Sequence, residues 1–261
     1  MSKHIVCALL GAHLPEPSDL CAFEAQGFRF LRHPQGGAAE WNRYEAVFVF
    51  SDTTQISPDA VNGWIGHPHL RTIVGSTAEI RLASLQTELF ALTSDVECER
   101  KFLVTFPDLN ALEQSPFAAC AHIVQTYLLP IDNCTERVRM RESDGEIIYT
   151  HTVKRRIDDM SCEEIESTLS KADYDAFLKR ADPRKKPVEK TRWCILHEGF
   201  YFELDIYPFW TDRAIVEVEV ATPTDAPFPF PPYFRVVRAV TGDLRYKNVR
   251  LADEVPMDPL D

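Results

Sequence analysis

Three stretches of this chain alternate charged and apolar residues strictly: Arg137-Val138-Arg139-Met140-Arg141, Phe202-Glu203-Leu204-Asp205-Ile206 and Val216-Glu217-Val218-Glu219-Val220. A period of two is the period of a β-strand, in which residues i, i+2 and i+4 share a face. The run from Val96 to Val104 likewise places Glu97, Glu99 and Lys101 together, and Thr152 with Lys154 and Lys190 with Arg192 repeat the device. Each such strand packs one face on apolar material and presents charge on the other. A face turned to bulk water usually mixes signs within a strand. Here acidic pairs and basic pairs sit on different strands, and neighbouring like charges repel unless something offsets them. The pattern predicts a barrel with a polar lumen built to hold ions.

The length, 261 residues, allows one large domain or two smaller ones. The net charge of -12 argues against nucleic acid as a general partner. Lys and Arg still cluster over residues 137–156 and 180–192, enough for a local anion site. Seven scattered cysteines without a C-x-x-C pair read as reduced thiols of a cytoplasmic protein. The apolar run after Met1-Ser-Lys-His is too short for a signal peptide, and no run approaches the ~20 apolar residues that span a bilayer. No membrane association is therefore expected.

Two styles of pattern meet near Ser94 and Asp95. Residues 1–93 read as a small α/β domain with a parallel sheet, Rossmann-like or receiver-like and of unknown role. Its strands are expected at 5–10, 28–31, 46–50 and 72–74. A helix is expected over 76–92, capped by Ser76 with Glu79 completing a capping box. No G-x-x-x-x-G-K-[ST] motif follows the first strand, so no nucleotide site is read there. Residues 95–252 read as antiparallel strands at 96–104, 122–129, 135–141, 146–156, 188–196, 201–207 and 214–220. Helices are expected at 161–170, with Ser161 and Glu164 as a capping box, and at 173–180. Ser143-Asp144-Gly145 and His197-Glu198-Gly199 are turn signals, and the Pro-rich segment 223–232 is a loop. Its aromatic part, 228–234, is expected to close one end of the barrel. Residues 245–251 form a short closing element, and 253–261 a C-terminal tail. His67 and His69 flank Pro68 in a loop and are read as structural rather than as metal ligands.

Acid pairs beside basic pairs describe a site for a metal–polyphosphate complex. Mg²⁺ takes oxygen ligands and bridges phosphate oxygens, and guanidinium groups grip phosphate bidentately. The pieces Glu97-Cys98-Glu99-Arg100-Lys101-Phe102-Leu103, Gln125-Thr126-Tyr127-Leu128, Arg137-Val138-Arg139, Thr152-Val153-Lys154, Glu189-Lys190-Thr191-Arg192-Trp193, Phe202-Glu203-Leu204-Asp205, Val216-Glu217-Val218-Glu219 and Arg245-Tyr246-Lys247-Asn248 stand in one order. Together they resemble the CYTH domain, also called the triphosphate tunnel metalloenzyme family, over residues 96–252. Within it they are most similar to the short bacterial inorganic triphosphatases. Cys98 departs from the usual Ile on a packing face, and Met140-Arg141 follows the basic pair at a variable position.

The resemblance implies an α+β chain whose main part is an eight-stranded antiparallel β-barrel tunnel. It implies Mg²⁺- or Mn²⁺-dependent hydrolysis of a triphosphate-containing small molecule, inorganic triphosphate first. Carried over by position, Glu97, Glu99, Glu203, Asp205, Glu217 and Glu219 are the expected metal-binding ring. Lys101, Arg137, Arg139, Lys154, Lys190, Arg192 and Lys247 are the expected phosphate clamp, with Arg156 at its rim. Glu97, Glu99, Lys101 and Lys190 are the expected catalytic residues. Two alternatives remain open: a class IV-type adenylate cyclase making cyclic AMP and pyrophosphate, and a non-catalytic module sensing a nucleotide or polyphosphate. A homodimer is compatible with either reading.

Overall fold

A computed structural model describes residues 5–94, 96–131, 134–222 and 224–260. Residues 1–4, Asp95, Pro223 and Asp261, which belong to segments delimited above, lie outside the described residues. The N-terminal part runs β1 (Ile5–Gly11), α1 (Pro17–Glu24), β2 (Phe28–Arg32), α2 (Ala38–Trp41), β3 (Ala46–Ser51), α3 (Pro58–Val61), β4 (Leu70–Val74) and α4 (Ala78–Thr93). The four strands pair in parallel in the order β2-β1-β3-β4. The near-continuous apolar runs of β1 and β3 are explained by burial on both faces. Cys7, Leu9, Phe48 and Phe50 meet Leu20, Leu85 and Leu89 of α1 and α4. Ala8, Leu10, Val47 and Val49 face the other way, onto Trp41, Trp64 and the barrel residues Cys194, Leu196 and Tyr201. The cap of α4 is Thr77, one residue later than expected, because its side chain accepts from the Ile80 amide.

The remainder comprises β5 (Val96–Thr105), α5 (Leu109–Glu113), β6 (Ala118–Tyr127), β7 (Thr135–Ser143), β8 (Glu146–Arg156), β9 (Ser161–Leu169), α6 (Lys171–Leu178), β10 (Val188–His197), β11 (Phe200–Ile206), β12 (Arg213–Glu219), β13 (Val236–Ala239), a 3-10 turn (Leu244–Tyr246) and α7 (Asn248–Leu251). Strands β5 to β12 form a closed antiparallel barrel, ordered β12-β11-β10-β6-β7-β8-β9-β5 and sealed by pairing of β12 with β5. The short β13 lies beside the C-terminal half of β5, beyond the three residues that β9 pairs. The hairpin turns are as expected, with Asp144, Gly145, Glu198 and Gly199 all at positive φ.

The stretch beginning at Ser161 is a strand, not the expected helix. Its Ser-x-x-Glu start imitates a capping box, but the ladder with β8 sets Glu164 opposite Lys154 and Glu166 opposite Thr152. Cross-strand partners for charges at spacing two outweigh the local helix signal.

The two ends of the barrel differ. One is filled by Leu103, Tyr127, Tyr207, Trp210, Ile215, Val240 and Tyr246. The aromatic loop at 228–234, expected from sequence to close one end of the barrel, does not do so. Phe228 and Phe230 pack with Phe102, Phe202 and Trp193 on the outer wall, the face of β5 opposite Lys101. The other end is covered by the N-terminal sheet. There the Tyr201 hydroxyl lies 2.7 Å from the Ile65 carbonyl oxygen, and Arg141 donates to the Gly66 carbonyl at 2.5 Å. Among the described residues, no helix is long and apolar enough to cross a membrane.

Candidate active site

Most of the alternating charged residues line one cavity of about 490 Å³ inside the barrel. Ladder register explains the convergence, since Cα partners in an antiparallel pair point to the same face. Glu217 is opposite both Lys101 and Glu203, Asp205 is opposite Arg192, and Glu219 is opposite Glu99. Of the thirteen residues expected at the site, all but Asp205 border the cavity directly. Arg156 lines it too, at the rim.

The deep part is a dense ion-pair network. Arg192 donates from Nε and Nη2 to Asp205, each at 2.7 Å, and from Nη2 to Glu217 at 2.8 Å; Glu203 takes its Nη1. Lys190 is paired with Asp205, and Lys101 with Glu217. Burial opposes the Asp205 charge, but Arg192 and Lys190 outweigh it and hold its pKa below the ordinary carboxylate value. Burial also opposes the Lys101 charge, and Glu217 and Glu99 more than restore it. Lys190 goes the other way, down to about 8, through burial and the nearby Arg192. Its ammonium group lies 5.8 Å from the centre of the Tyr207 ring. Asp205 is therefore committed to two cations and stands behind the cavity wall. Glu203 has its pKa raised by burial, despite Arg192, and by its neighbours Glu217 and Asp205.

A second wall is cationic. Arg137 on β7 is buried and Arg139 half-buried, yet both are held loosely: their nearest carboxylates, Glu164 and Glu166, stand 3.6 and 3.8 Å away. Arg137 also donates to the Gln125 amide oxygen at 3.3 Å. Both Nε–H groups are buried without a hydrogen-bond partner among the described residues. Burial, with Arg137 alongside, lowers the pKa of Arg139. Unfilled buried donors on adjacent guanidinium groups are an invitation to an anion.

The third cluster lies where β5 meets β9. Lys154 donates to Glu97 at 2.5 Å and pairs with Glu164, while Lys247 reaches Glu99 at 3.3 Å. Burial and a hydrogen bond with Glu97 push the Glu164 carboxyl up to about 8. Glu97, Glu164 and the Cys162 thiol offer donor atoms within 4.8 Å of one another. Glu164 and Glu166 also line the cavity, although the helix expected over 161–170 would not bring them to it. Their spacing of two, like that of the other acid pairs, was the available signal.

A hard divalent cation fits this donor set. Glu97, Glu99 and Glu219 place carboxylate oxygens on the cavity wall, and Glu99, 3.3 Å from Lys247 and 3.6 Å from Lys101, is held more loosely than Asp205 is by Arg192 and Lys190.

The CYTH domain family matches residues 95–227. The chain is 35% identical over 166 residues to an inorganic triphosphatase from Nitrosomonas europaea, covering 61% of this chain and 99% of that protein. Among solved structures it is similar to an inorganic triphosphatase, at 32% identity and a TM-score of 0.41, covering 61% of this chain and 96% of that one. It is also similar to a protein from Pyrococcus horikoshii, at 19% identity and a TM-score of 0.37, covering 49% and 80%. With its ordered acid and base pairs in the lumen of an eight-stranded barrel, this chain belongs to the CYTH domain family.

Proposed function

We propose that this protein hydrolyses a triphosphate, inorganic triphosphate first, with Mg²⁺ or Mn²⁺ as its cofactor. The observation that carries the reading is the pair of loosely held guanidinium groups, Arg137 and Arg139, facing the carboxylates Glu97, Glu99 and Glu219 across one cavity. Similarity to the inorganic triphosphatase supports the choice of substrate.

Glu97, Glu99 and Glu219 would hold the cation, with Glu203 and Glu217 acting through water or on the clamp. A divalent cation held there would supply positive charge to offset the negative charge that builds as the anhydride bond breaks. Arg137, Arg139 and Lys154 grip the phosphates through charge-assisted hydrogen bonds. Lys101 and Lys190, fixed by Glu217 and Asp205, place positive charge at the deep end. Lys247, on the segment before α7, pairs with Glu99 and adds positive charge to the cavity wall. A water oxygen adds to a terminal phosphorus, the bridging P–O bond breaks, and pyrophosphate leaves. A carboxylate at the Glu97–Glu99 side takes the water's proton.

The test is phosphate release from inorganic triphosphate, ATP and thiamine triphosphate, each with Mg²⁺, with Mn²⁺ and with chelator. Phosphate and pyrophosphate in equal amounts, formed only with metal, is the expected result. Cyclic AMP from ATP with little free phosphate would transfer the chain to the cyclases. Tight binding without turnover would make it a sensor.

A further inference from the structure

The N-terminal unit is more than an appendage, because part of the cavity wall is its own. Arg71 of β4, His69 and Glu88 of α4 border the same cavity as the barrel charges. Arg71 is largely buried, and its Nη2 lies 2.5 Å from a Glu219 carboxylate oxygen. Its Nε lies 3.8 Å from Glu88, and its Nη1 donates to the Leu70 carbonyl at 3.0 Å. The position is held by docking that does not involve Arg71. The Thr72 hydroxyl donates to the Gly199 carbonyl, Arg141 donates to that of Gly66, and Tyr201 packs in the core shared with Trp41 and Trp64. A guanidinium is thus delivered by a separate sheet to the barrel end where Glu219 and Glu99 pair.

We infer that Arg71 is a further substrate-binding residue: it pairs with Glu219 in the free protein and grips a terminal phosphate of the bound triphosphate, making the N-terminal unit a fixed wall of the site. This rests on the triphosphate reading above. The chemistry follows from charge. A triphosphate bound with a divalent cation remains strongly anionic, and once Glu219 faces that cation, Arg71 is left with only the distant Glu88 as a carboxylate partner. An arginine fork in a partly dehydrated wall then favours phosphate oxygens. Phosphate at this covered end favours substrates with an unsubstituted terminus.

The experiment compares wild type with Arg71→Ala, Arg71→Lys and Thr72→Val, measuring kcat and KM for inorganic triphosphate and calorimetric binding of pyrophosphate, all with Mg²⁺. Thr72→Val removes one docking hydrogen bond and leaves the Arg141 contact to Gly66 and the Tyr201 core to hold Arg71 in place. Arg71→Ala is expected to raise KM and weaken pyrophosphate binding by about 10- to 100-fold, the worth of a charge-assisted hydrogen bond. Arg71→Lys should recover part of that, and Thr72→Val should leave both values near wild type. Unchanged KM and binding in Arg71→Ala would overturn the inference while leaving the hydrolase standing. Equal losses in Arg71→Ala and Thr72→Val would also overturn it, because docking rather than the guanidinium would then matter. A wild-type protein that neither turns over triphosphate nor binds pyrophosphate would remove both this inference and the proposed function.

Discussion

Glu99 and Glu219 are direct partners across the ladder that seals the barrel, so two carboxylates face one region of the lumen. Like charges placed opposite each other destabilise a sheet. Each is drawn away by a cation from outside the eight strands: Glu99 by Lys247, at 3.3 Å, and Glu219 by Arg71, at 2.5 Å. The barrel seam is thus a carboxylate pair held apart by two flanking segments, an arrangement suited to receiving a cation between them.

Replacing Glu99 by Gln removes one side of that pair. Turnover should fall by about 10²–10³-fold, the usual cost of deleting an electrostatic group at a reacting centre. The melting temperature of the metal-free protein should hold or rise, because a repulsion is relieved. Steady-state rates and a thermal melt on the same preparation check both. Full activity would remove Glu99 from the metal set.

Asp205 should behave in the opposite way. It is fully buried and bound to both Arg192 and Lys190. Asp205→Asn leaves two buried cations short of a partner, which should cost about 3–5 kcal/mol of stability. Urea unfolding measures this directly. A loss under about 1 kcal/mol would mean that the network reorganises around the missing charge.

These two carboxylates show what could be read in advance. Alternation made the charged face of six strands legible, because a period of two survives in any sheet, and it named the acid and base pairs that share the cavity. It could not rank them: Glu99 and Asp205 look alike in sequence, and only the folded ion pairs show Asp205 locked by Arg192 and Lys190 while Glu99 keeps looser contacts to Lys101 and Lys247. The β9 segment is hidden by Ser161 and Glu164, whose spacing suits a helix cap, and only the ladder shows Lys154 opposite Glu164. Arg71 was invisible for a different reason. Its role depends on where a separate sheet docks, and nothing local to β4 marks it.

The N-terminal unit should confer a distinct acid sensitivity. His67 is buried, with Nε2 3.3 Å from the Tyr44 carbonyl oxygen and Nδ1 accepting from the His69 amide at 3.1 Å. Burial first, then His69, pushes its pKa down to about 3. Below the ordinary histidine value of ~6.5, the unfolded chain takes up a proton that the folded chain refuses. Its contribution is therefore complete above about pH 6.5 and declines towards pH 3, by up to ~1.4 kcal/mol per pH unit. Unfolding free energies at several pH values between 6.5 and 4.5 should fall more steeply for wild type than for His67→Gln. Equal slopes would assign the acid loss to carboxylates alone.

Acid and base walls that form one enclosed site for a metal–triphosphate complex should bind metal and anion cooperatively. A thermal-shift series that varies Mg²⁺ and a non-hydrolysed triphosphate analogue independently tests it most directly. A ligand that binds only the folded state raises its melting temperature. Filling one wall alone leaves the like charges of the other unrelieved, and the bound cation and anion also attract each other, so the two ligands together should raise the melting temperature by more than the sum of their separate shifts. Negligible or merely additive shifts would mean that the charged faces do not act as one site.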